Sequence, residues 1–214
     1  MALSKVDYNS LNVTAAASKA LKWNSSANGF ETGDVGGSLV LLETQTADDS
    51  ATLDFTSNID STYDEYVFKF INIHPATDNT NFSFQADTGT NTSYGQTITS
   101  TFFNNSHTEA GGGGGIANET GQDQAQGTAF QRIIVDVGND NDQNSCGYLH
   151  IFSPSSSVFV KHFYAETIIM NYNDGQYNSF IAGYFNTTTA LTRFRFKMES
   201  GNIGAGVVKM YGVS

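Results

Sequence analysis

Short runs of β-branched and aromatic residues recur from residue 38 to the end of the chain, with clusters of Gly, Asn, Asp and Ser between them. This pattern is typical of a sandwich or barrel of short antiparallel strands. Outside the N-terminal segment, no stretch has a persuasive period of 3.6 residues, so we expect little helix. The sequence therefore predicts an all-β fold, an antiparallel, jelly-roll-like β-sandwich with an extended N-terminal arm. The predicted strands are 38–45, 51–55, 65–73, 81–87, 97–103, 130–137, 147–153, 158–170, 177–186, 191–198 and 206–213.

Three of these segments carry more specific predictions. In 193–198, RFRFKM, apolar side chains alternate with cations, which places the apolar set in the core and the cations in water. In 65–73 both faces are apolar, which predicts an interior strand covered on both sides by protein or by a neighbouring subunit. The dipeptide Asp174-Gly175 predicts a two-residue hairpin turn that pairs the strands on either side of it.

The N-terminal residues, 1–37, lack a strong apolar period, and they end in a glycine cluster that marks a hinge. We therefore expect two parts, an attachment or oligomerisation arm over 1–37 and a β-sandwich domain over 38–214. The only tryptophan of the chain, Trp23, lies in this polar arm between Leu21 and Phe30. Because the arm is too polar to bury an indole ring by itself, we predict that these three residues form a docking anchor covered by a neighbouring subunit or by another protein.

A second polar stretch, 104–128, surrounds five consecutive glycines and predicts a long loop. A phosphate-binding loop needs a lysine and a hydroxyl residue after its glycines, followed by a helix. Neither follows here, so the glycines predict a surface loop and not a nucleotide site.

Charge and composition exclude several classes of function. The formal net charge is −11 and the chain has only ten Lys and Arg residues, whereas a surface that follows nucleic-acid phosphates needs clustered cations. We expect no nucleic-acid partner. The N-terminus lacks the apolar core of a secretory signal, and no run approaches the roughly 18 apolar residues of a membrane span, so we expect synthesis in a cytoplasm without export or membrane insertion. With Cys146 as the single cysteine, stability must come from burial or oligomerisation and not from an intrachain disulfide.

The acidic segment DVGNDNDQNS offers Asp136, Asp140 and Asp142 as weak calcium ligands. Its spacing fails the EF-hand rule, because Ser145 stands where the loop glycine belongs and no glutamate closes the loop. An acidic turn between strands explains the segment better, so we expect no metal and no cofactor.

No arrangement of residues predicts catalysis. The chain has no G-x-S-x-G motif, and its adjacent carboxylates, such as Asp64 and Glu65, point to opposite faces of a strand. His150 and His162 lie in strands that could be neighbours, although a histidine satisfied within the fold is the commoner arrangement. The many Tyr, Phe, Asn and Asp residues suit carbohydrate contact and also suit strand stability, and composition leaves both interpretations open.

Several segments resemble a known family. ALKWNSSANGFETG at 20–33 and the start MALSKVD resemble the N-terminal ends or module junctions of tailed-bacteriophage fibre proteins. The segments 55–70, 150–164 and 180–213 resemble marine-phage virion proteins described as fibre or structural proteins. This resemblance implies a β-rich virion component and transfers no site residues.

The function that we expect from this resemblance is that of a short fibre or tail appendage. Such a protein is assembled in the host cytoplasm, attaches to tail, portal-adaptor or capsid proteins through its arm, and contacts the host surface as a homotrimer, with a host glycan as a candidate ligand. A capsid decoration protein is the alternative, and an enzyme acting on surface polysaccharide is a third class.

Overall fold

The computed structural model describes residues 19–34, 38–89 and 93–213. The chain divides into two compact units, Met1–Ser38 and Leu39–Ser214, so the division falls one residue beyond the expected boundary. The described residues form strands and connecting segments without a helix. Accordingly, no helix in this part of the chain is long and apolar enough to cross a membrane. The first 18 residues of the expected arm lie outside the described ranges.

In the first unit, the described residues form a β-hairpin and not a single extended segment. Strands β1 (Lys19–Trp23) and β2 (Phe30–Asp34) pair antiparallel along their whole length. Asn24 closes the loop between them: its backbone N–H donates to the carbonyl oxygen of Gly29 at 2.9 Å, and its Oδ1 accepts the N–H of Asn28 at 3.2 Å. Asparagine suits this position because its side chain can bond a nearby backbone group and tighten the turn.

The second unit contains two antiparallel sheets. The large sheet has, in spatial order, β3 (Leu39–Ser50), β15 (Ile203–Val213), β5 (Glu65–Pro75), β11 (Ser145–Phe152), β12 (Lys161–Met170), β13 (Gly175–Phe185) and β7 (Ile98–Thr108), and two short strands, β8 (Ile116–Asn118) and β9 (Ala125–Gly127), both pair with β7. The small sheet has the order β10 (Gln131–Val137), β6 (Thr80–Asp87), β14 (Arg193–Met198) and β4 (Leu53–Phe55).

Successive strands pass back and forth between the sheets: β3, β5, β7, β11 and β15 lie in the large sheet, and β4, β6, β10 and β14 lie in the small one. Such crossings are the connectivity of Greek-key sandwiches, the class that includes jelly rolls. Each of the predicted strand segments overlaps an observed strand, so the all-β, antiparallel sandwich is confirmed.

A layer of aromatic rings holds the sheets together. Phe196 of the small sheet lies with its ring centroid 5.2 Å from that of Phe68 in the large sheet, and Phe84 of the small sheet lies 5.2 Å from Phe163 in the large one. All four side chains are buried. Burying a Phe side chain contributes about 1.5–3 kcal/mol relative to leaving it exposed, so this layer is a main source of stability.

The strand over 65–73 is interior to the large sheet, as predicted, because β5 pairs with β15 on one side and β11 on the other. Its outward side is not fully covered. Val67 is buried, whereas Ile71 is 40% exposed.

The predicted pairing around Asp174-Gly175 is confirmed, but the two-residue turn is wrong. Strands β12 and β13 pair, and Asn171 donates its backbone N–H to the carbonyl of Gly175 at 2.8 Å, which leaves residues 172–174 as a three-residue loop. Asp174 takes the left-handed position with φ of 54°, and the Oδ1 of Asn171 accepts the N–H of Gly175 at 2.7 Å. The three-residue loop forms because Asp tolerates this conformation and Asn171 supplies the extra hydrogen bond.

The long loop expected over 104–128 is shorter than predicted. β7 continues to Thr108, and two further strands, β8 and β9, lie within the segment, so the glycines at 111–115 occupy a connection between strands. Strand pairing at a sheet edge needs only backbone hydrogen bonds, and it therefore forms here without an apolar pattern.

Candidate functional site

The outward faces of the two sheets differ in how they are covered. On the small sheet, Gln85 is fully buried because other segments of the chain cross this face. Its Nε2 donates to the carbonyl oxygens of Gln96 and Ala129 in those segments, at 3.0 and 2.9 Å. On the large sheet, Phe103 and Tyr164 are 41% and 40% exposed. The outward face of the large sheet is therefore the broad surface that presents aromatic side chains.

A hollow lies on this face where β12, β13 and β7 run side by side. Ala182 is at its centre, because it is paired with Tyr164 on one side and with Thr101 on the other, and the same-face positions two residues before and after it on β13 are the larger Phe180 and Tyr184. We call the hollow the Ala182 cup. Its nine outward positions are His162, Tyr164 and Glu166 on β12, Phe180, Ala182 and Tyr184 on β13, and Thr99, Thr101 and Phe103 on β7.

Part of the cup forms an open cavity of about 330 Å³. Five of the nine positions line it, namely Thr99, Thr101, His162, Ala182 and Tyr184, whereas Tyr164, Glu166, Phe180 and Phe103 lie beside it on the same face. Small-molecule sites typically range over roughly 300–1,000 Å³, so this cavity lies near the lower end.

The aromatic wall on the β12 side is held by stacking. The rings of Tyr164 and His150 are stacked, with centroids 4.5 Å apart and planes 8° apart. Nδ1 of His150 in turn contacts the carboxylate of Glu65 on the next strand. Aromatic pairs of this kind contribute about 0.5–1.5 kcal/mol beyond their burial, so the Tyr164 ring is positioned before any ligand arrives.

The opposite corner of the cup is similarly ordered. The rings of Phe103 and Phe180 are stacked at 5.0 Å with planes 16° apart. Beside them, Glu166 accepts a hydrogen bond from the hydroxyl of Tyr148, and its Oε1 lies 3.5 Å from Nδ2 of Asn178. The walls of the cup are thus fixed by neighbours on the same face.

Tyr148, beside the cup, and Tyr164, in its wall, remain protonated at neutral pH. The hydrogen bond to Glu166, together with burial, raises the pKa of Tyr148 to about 12. Burial and the carboxylates of Glu65 and Glu166 raise the pKa of Tyr164. Both phenols are therefore neutral hydrogen-bonding groups rather than bases or nucleophiles.

The two histidines singled out from the sequence do share this face, since β11 and β12 are neighbours. His150 contacts Glu65 and Tyr164, whereas the ring of His162 packs against Tyr184 at 5.9 Å. Among the described residues, no group of three or more His, Cys, Asp or Glu side chains is arranged to hold a metal ion.

The weak calcium candidates are separated by the local structure. Asp136 lies in β10, with φ of 54°, and burial raises the pKa of its carboxyl group. Asp140 and Asp142 lie in the following turn, where the backbone N–H of Asp140 donates to Oε1 of buried Gln143 at 3.1 Å. A buried glutamine thus organises this turn, which matches the interpretation as an acidic connection.

The three residues of the predicted docking anchor come together on one face of the N-terminal hairpin. Trp23 is paired with Phe30, and their rings are stacked at 4.4 Å; Leu21 is two residues from Trp23 and points to the same side. The exposed fractions are 47% for Leu21, 61% for Trp23 and 42% for Phe30. The other side carries an ion pair between Lys22 and Glu31 at 3.4 Å.

A separate groove of about 450 Å³ lies at one end of the large sheet. Its lining includes the apolar side chains of Ile168 and Met170, with Glu109, Asp142 and Asp174 also contributing. His107 and Cys146 also line this groove, and in the part of the chain that the structure describes no group of three or more His, Cys, Asp or Glu side chains is arranged to hold a metal ion.

The sequence did not indicate the cup. Its outward residues on β12 could be read from the alternation in 161–170, but the assignment of Ala182 to its centre depends on how three strands are aligned. No protein-family model, no curated protein and no solved structure matches this chain.

Proposed function

We propose that this chain is a structural protein of a tailed-bacteriophage virion, a short fibre or tail appendage that attaches through its N-terminal hairpin. In this proposal the β-sandwich faces the host surface and acts by adhesion, not catalysis. The protein assembles as a homotrimer in the host cytoplasm and joins tail, portal-adaptor or capsid proteins of the virion.

The observation that carries the proposal is the apolar face of the hairpin. An isolated two-stranded hairpin is at best marginally stable in water, and this one exposes most of an indole ring. The stacked pair of Trp23 and Phe30 has a flat apolar surface, whereas the Lys22–Glu31 side is charged. A covering protein would remove the apolar face from water and leave the ion pair exposed, as expected of an attachment element.

Two further features support this function. The segment that forms the hairpin is the one that resembles attachment segments of phage fibre proteins. The large sheet also presents an ordered aromatic face, which is a surface suited to binding, and the described residues contain no group of three or more His, Cys, Asp or Glu side chains arranged to hold a metal ion.

The test uses particles that lack this chain, to which the purified full-length protein is added back. Trp23→Ala should reduce incorporation about thirtyfold, because an aromatic anchor at the centre of an interface contributes about 2 kcal/mol or more. Glu31→Gln, on the opposite side of the same hairpin, serves as the matched control and should incorporate normally. Equal incorporation of both variants would contradict attachment through the hairpin.

The same hairpin also fits the alternative of a capsid decoration protein, since either role needs a docking element. A subunit map of the intact particle separates them: density at the tail supports the appendage, and regular occupancy of the capsid lattice overturns it. Release of reducing ends from host polysaccharide by the purified protein would overturn the non-enzymatic assignment.

A further inference from the structure

We propose that the Ala182 cup binds one or two pyranose rings of an uncharged host-surface oligosaccharide. This inference rests on the proposed adhesive function and names its ligand class and its site. Nothing in it depends on the N-terminal hairpin.

The shape of the cup comes from residue size on a regular sheet. Neighbouring strands lie about 4.8 Å apart and residues rise about 3.4 Å along a strand, so three strands and five residues span roughly 10 by 14 Å. Ala182 is the small side chain at the centre of that patch; Tyr184 lines the cavity with it, and Tyr164 and Phe180 occupy adjacent outward positions. Such a hollow accommodates a sugar ring and its neighbour without any movement of the backbone.

The chemistry of the walls matches both kinds of sugar surface. The C–H face of a pyranose ring carries a partial positive charge and packs against the negative face of an aromatic ring. The hydroxyl groups need donors and acceptors in fixed positions. Oε1 of Glu166 can accept a further hydrogen bond beside its 3.5 Å contact with Nδ2 of Asn178, since Tyr148 bonds the other carboxylate oxygen, and Oγ1 of Thr99 is held in place by Nε2 of Gln126 at 2.6 Å.

Charge determines which class of sugar the cup takes. The patch has Glu166 and no Lys or Arg among its nine positions, and Glu65 lies close by against His150. The whole chain carries a net charge of −11. An anionic sugar such as a uronic acid would meet like charge without a guanidinium or ammonium partner, so the ligand is uncharged.

The order of the walls also favours a small ligand. Tyr164 stacks on His150 and Phe180 stacks on Phe103, so binding a sugar freezes few additional side chains. Limited ordering on binding preserves affinity for a ligand that offers few contacts. A second copy of this chain is the alternative occupant of the same face, so the experiment also follows the oligomeric state of the protein.

The experiment measures binding of the full-length protein to three neutral probes, cellotriose, maltotriose and triacetylchitotriose, with trigalacturonate as the anionic comparison. Saturation-transfer NMR and calorimetry give the affinities. We expect at least one neutral probe to bind and the anionic probe to bind at least about tenfold more weakly.

Ala182→Ile fills the cup at an exposed position where a β-branched residue suits the strand, so the fold is retained. This variant should weaken binding by about tenfold or more, and Tyr164→Ala should do the same by removing a wall. Thr44→Ile is the matched control, because it also introduces an isoleucine on the outward face, but in β3 at the far edge of the sheet. Its affinity should equal that of the wild type.

Three results would overturn the inference. These are unchanged sugar affinity in Ala182→Ile, the lack of binding to any neutral probe, and a change of oligomeric state in Ala182→Ile, which would assign the face to a second copy. Adsorption of the same proteins to host cells separates this inference from the proposed function. If wild type and Ala182→Ile adsorb equally, adhesion stands and the cup is not its site; if wild type does not adsorb, the adhesive function itself fails.

Discussion

Arg195 lies in β14, on the side of the strand opposite the buried apolar residues. The alternation in 193–198 predicts a cation in water, yet Nε and Nη2 of Arg195 donate to the two carboxylate oxygens of Asp54 at 2.7 and 2.6 Å. Its guanidinium also lies 4.2 Å from the ring centre of Tyr94. The alternation of buried apolar residues and more exposed cations is confirmed, but the side chains of Arg195 and Asp54 are only 29% and 30% exposed, so this cation is paired and partly solvated.

The expected cost of changing Arg195 follows from these contacts. An exposed ion pair contributes about 0.2–1 kcal/mol, and hydrogen bonds to charged groups away from bulk water contribute about 1.5–3 kcal/mol. The ring contact adds about 0.5–1 kcal/mol. At this intermediate exposure we expect Arg195→Ala to cost about 2 kcal/mol and Arg195→Lys about 1 kcal/mol, because an ammonium keeps the charge but loses the two-pronged geometry.

Urea unfolding measures both free energies, and a double-mutant cycle with Asp54→Ala isolates the pair. We expect a coupling energy of about 1 kcal/mol, and thermal midpoints lowered by about 2–4 °C per kcal/mol for a domain of this size. Tyr94→Leu should reduce the cost of Arg195→Ala, since the ring contact is then already absent. If Arg195→Lys unfolds at the same urea concentration as the wild type, the guanidinium is merely solvated and the argument fails.

Three further predictions concern stability. Phe196→Ala should cost about 3–5 kcal/mol in urea unfolding, because the ring is fully buried; Phe159→Ala, which removes a 72% exposed ring, should cost almost nothing, and similar costs would contradict the assigned core. Burial raises the pKa of Asp136, so its ionised form destabilises the fold; Asp136→Asn should gain about 0.5 kcal/mol at pH 7, a gain that shrinks as the pH falls below the raised pKa and is gone below the usual pKa of 3.8, where the carboxyl is protonated in both states. Burial also raises the pKa of Glu199, but hydrogen bonds, chiefly from Arg132, outweigh it and the net pKa is lowered; Glu199→Gln should therefore cost about 0.5 kcal/mol above the usual pKa of 4.5 and nothing below the lowered one, and a cost independent of pH would refute this assignment.

The strands could be predicted because their signal is local. In β14, residues two apart point to the same side, so the core positions of Phe194 and Phe196 follow directly from the alternation. The segment 104–128 shows the limit of that signal. β8 and β9 lie at the edge beside β7 and bury little, so they leave no apolar period in the sequence.

The two candidate sites also differ in whether neighbouring residues in the sequence indicate them. The shared exposed face of Leu21, Trp23 and Phe30 could be predicted, because these residues are close in sequence and unusual for their polar surroundings; their role as a docking anchor stays a prediction. The cup could not be predicted, because the central position of Ala182 depends on its pairing with Tyr164 on β12 and with Thr101 on β7. In sequence, β7 is separated from β13 by more than 60 residues. Strand register over that distance is set by the whole sheet and leaves no local mark.

The two proposals together predict how attachment and adhesion depend on each other. A shallow cup that contacts one or two sugar rings gives weak affinity, on the order of millimolar, because few atoms of the ligand are buried. Adhesion of a virion therefore requires many cups to act at once, and linked copies raise the apparent affinity by about 10²–10⁴-fold. Because the cup lies in the sandwich and the docking anchor lies in the hairpin, Trp23→Ala should leave the trisaccharide affinity of the purified protein unchanged. The same change should abolish adsorption of reconstituted particles to host cells, since the cups are no longer gathered on one virion. A Trp23→Ala protein that loses trisaccharide binding would show that the two units are not independent, and this coupling between assembly and adhesion would have to be abandoned.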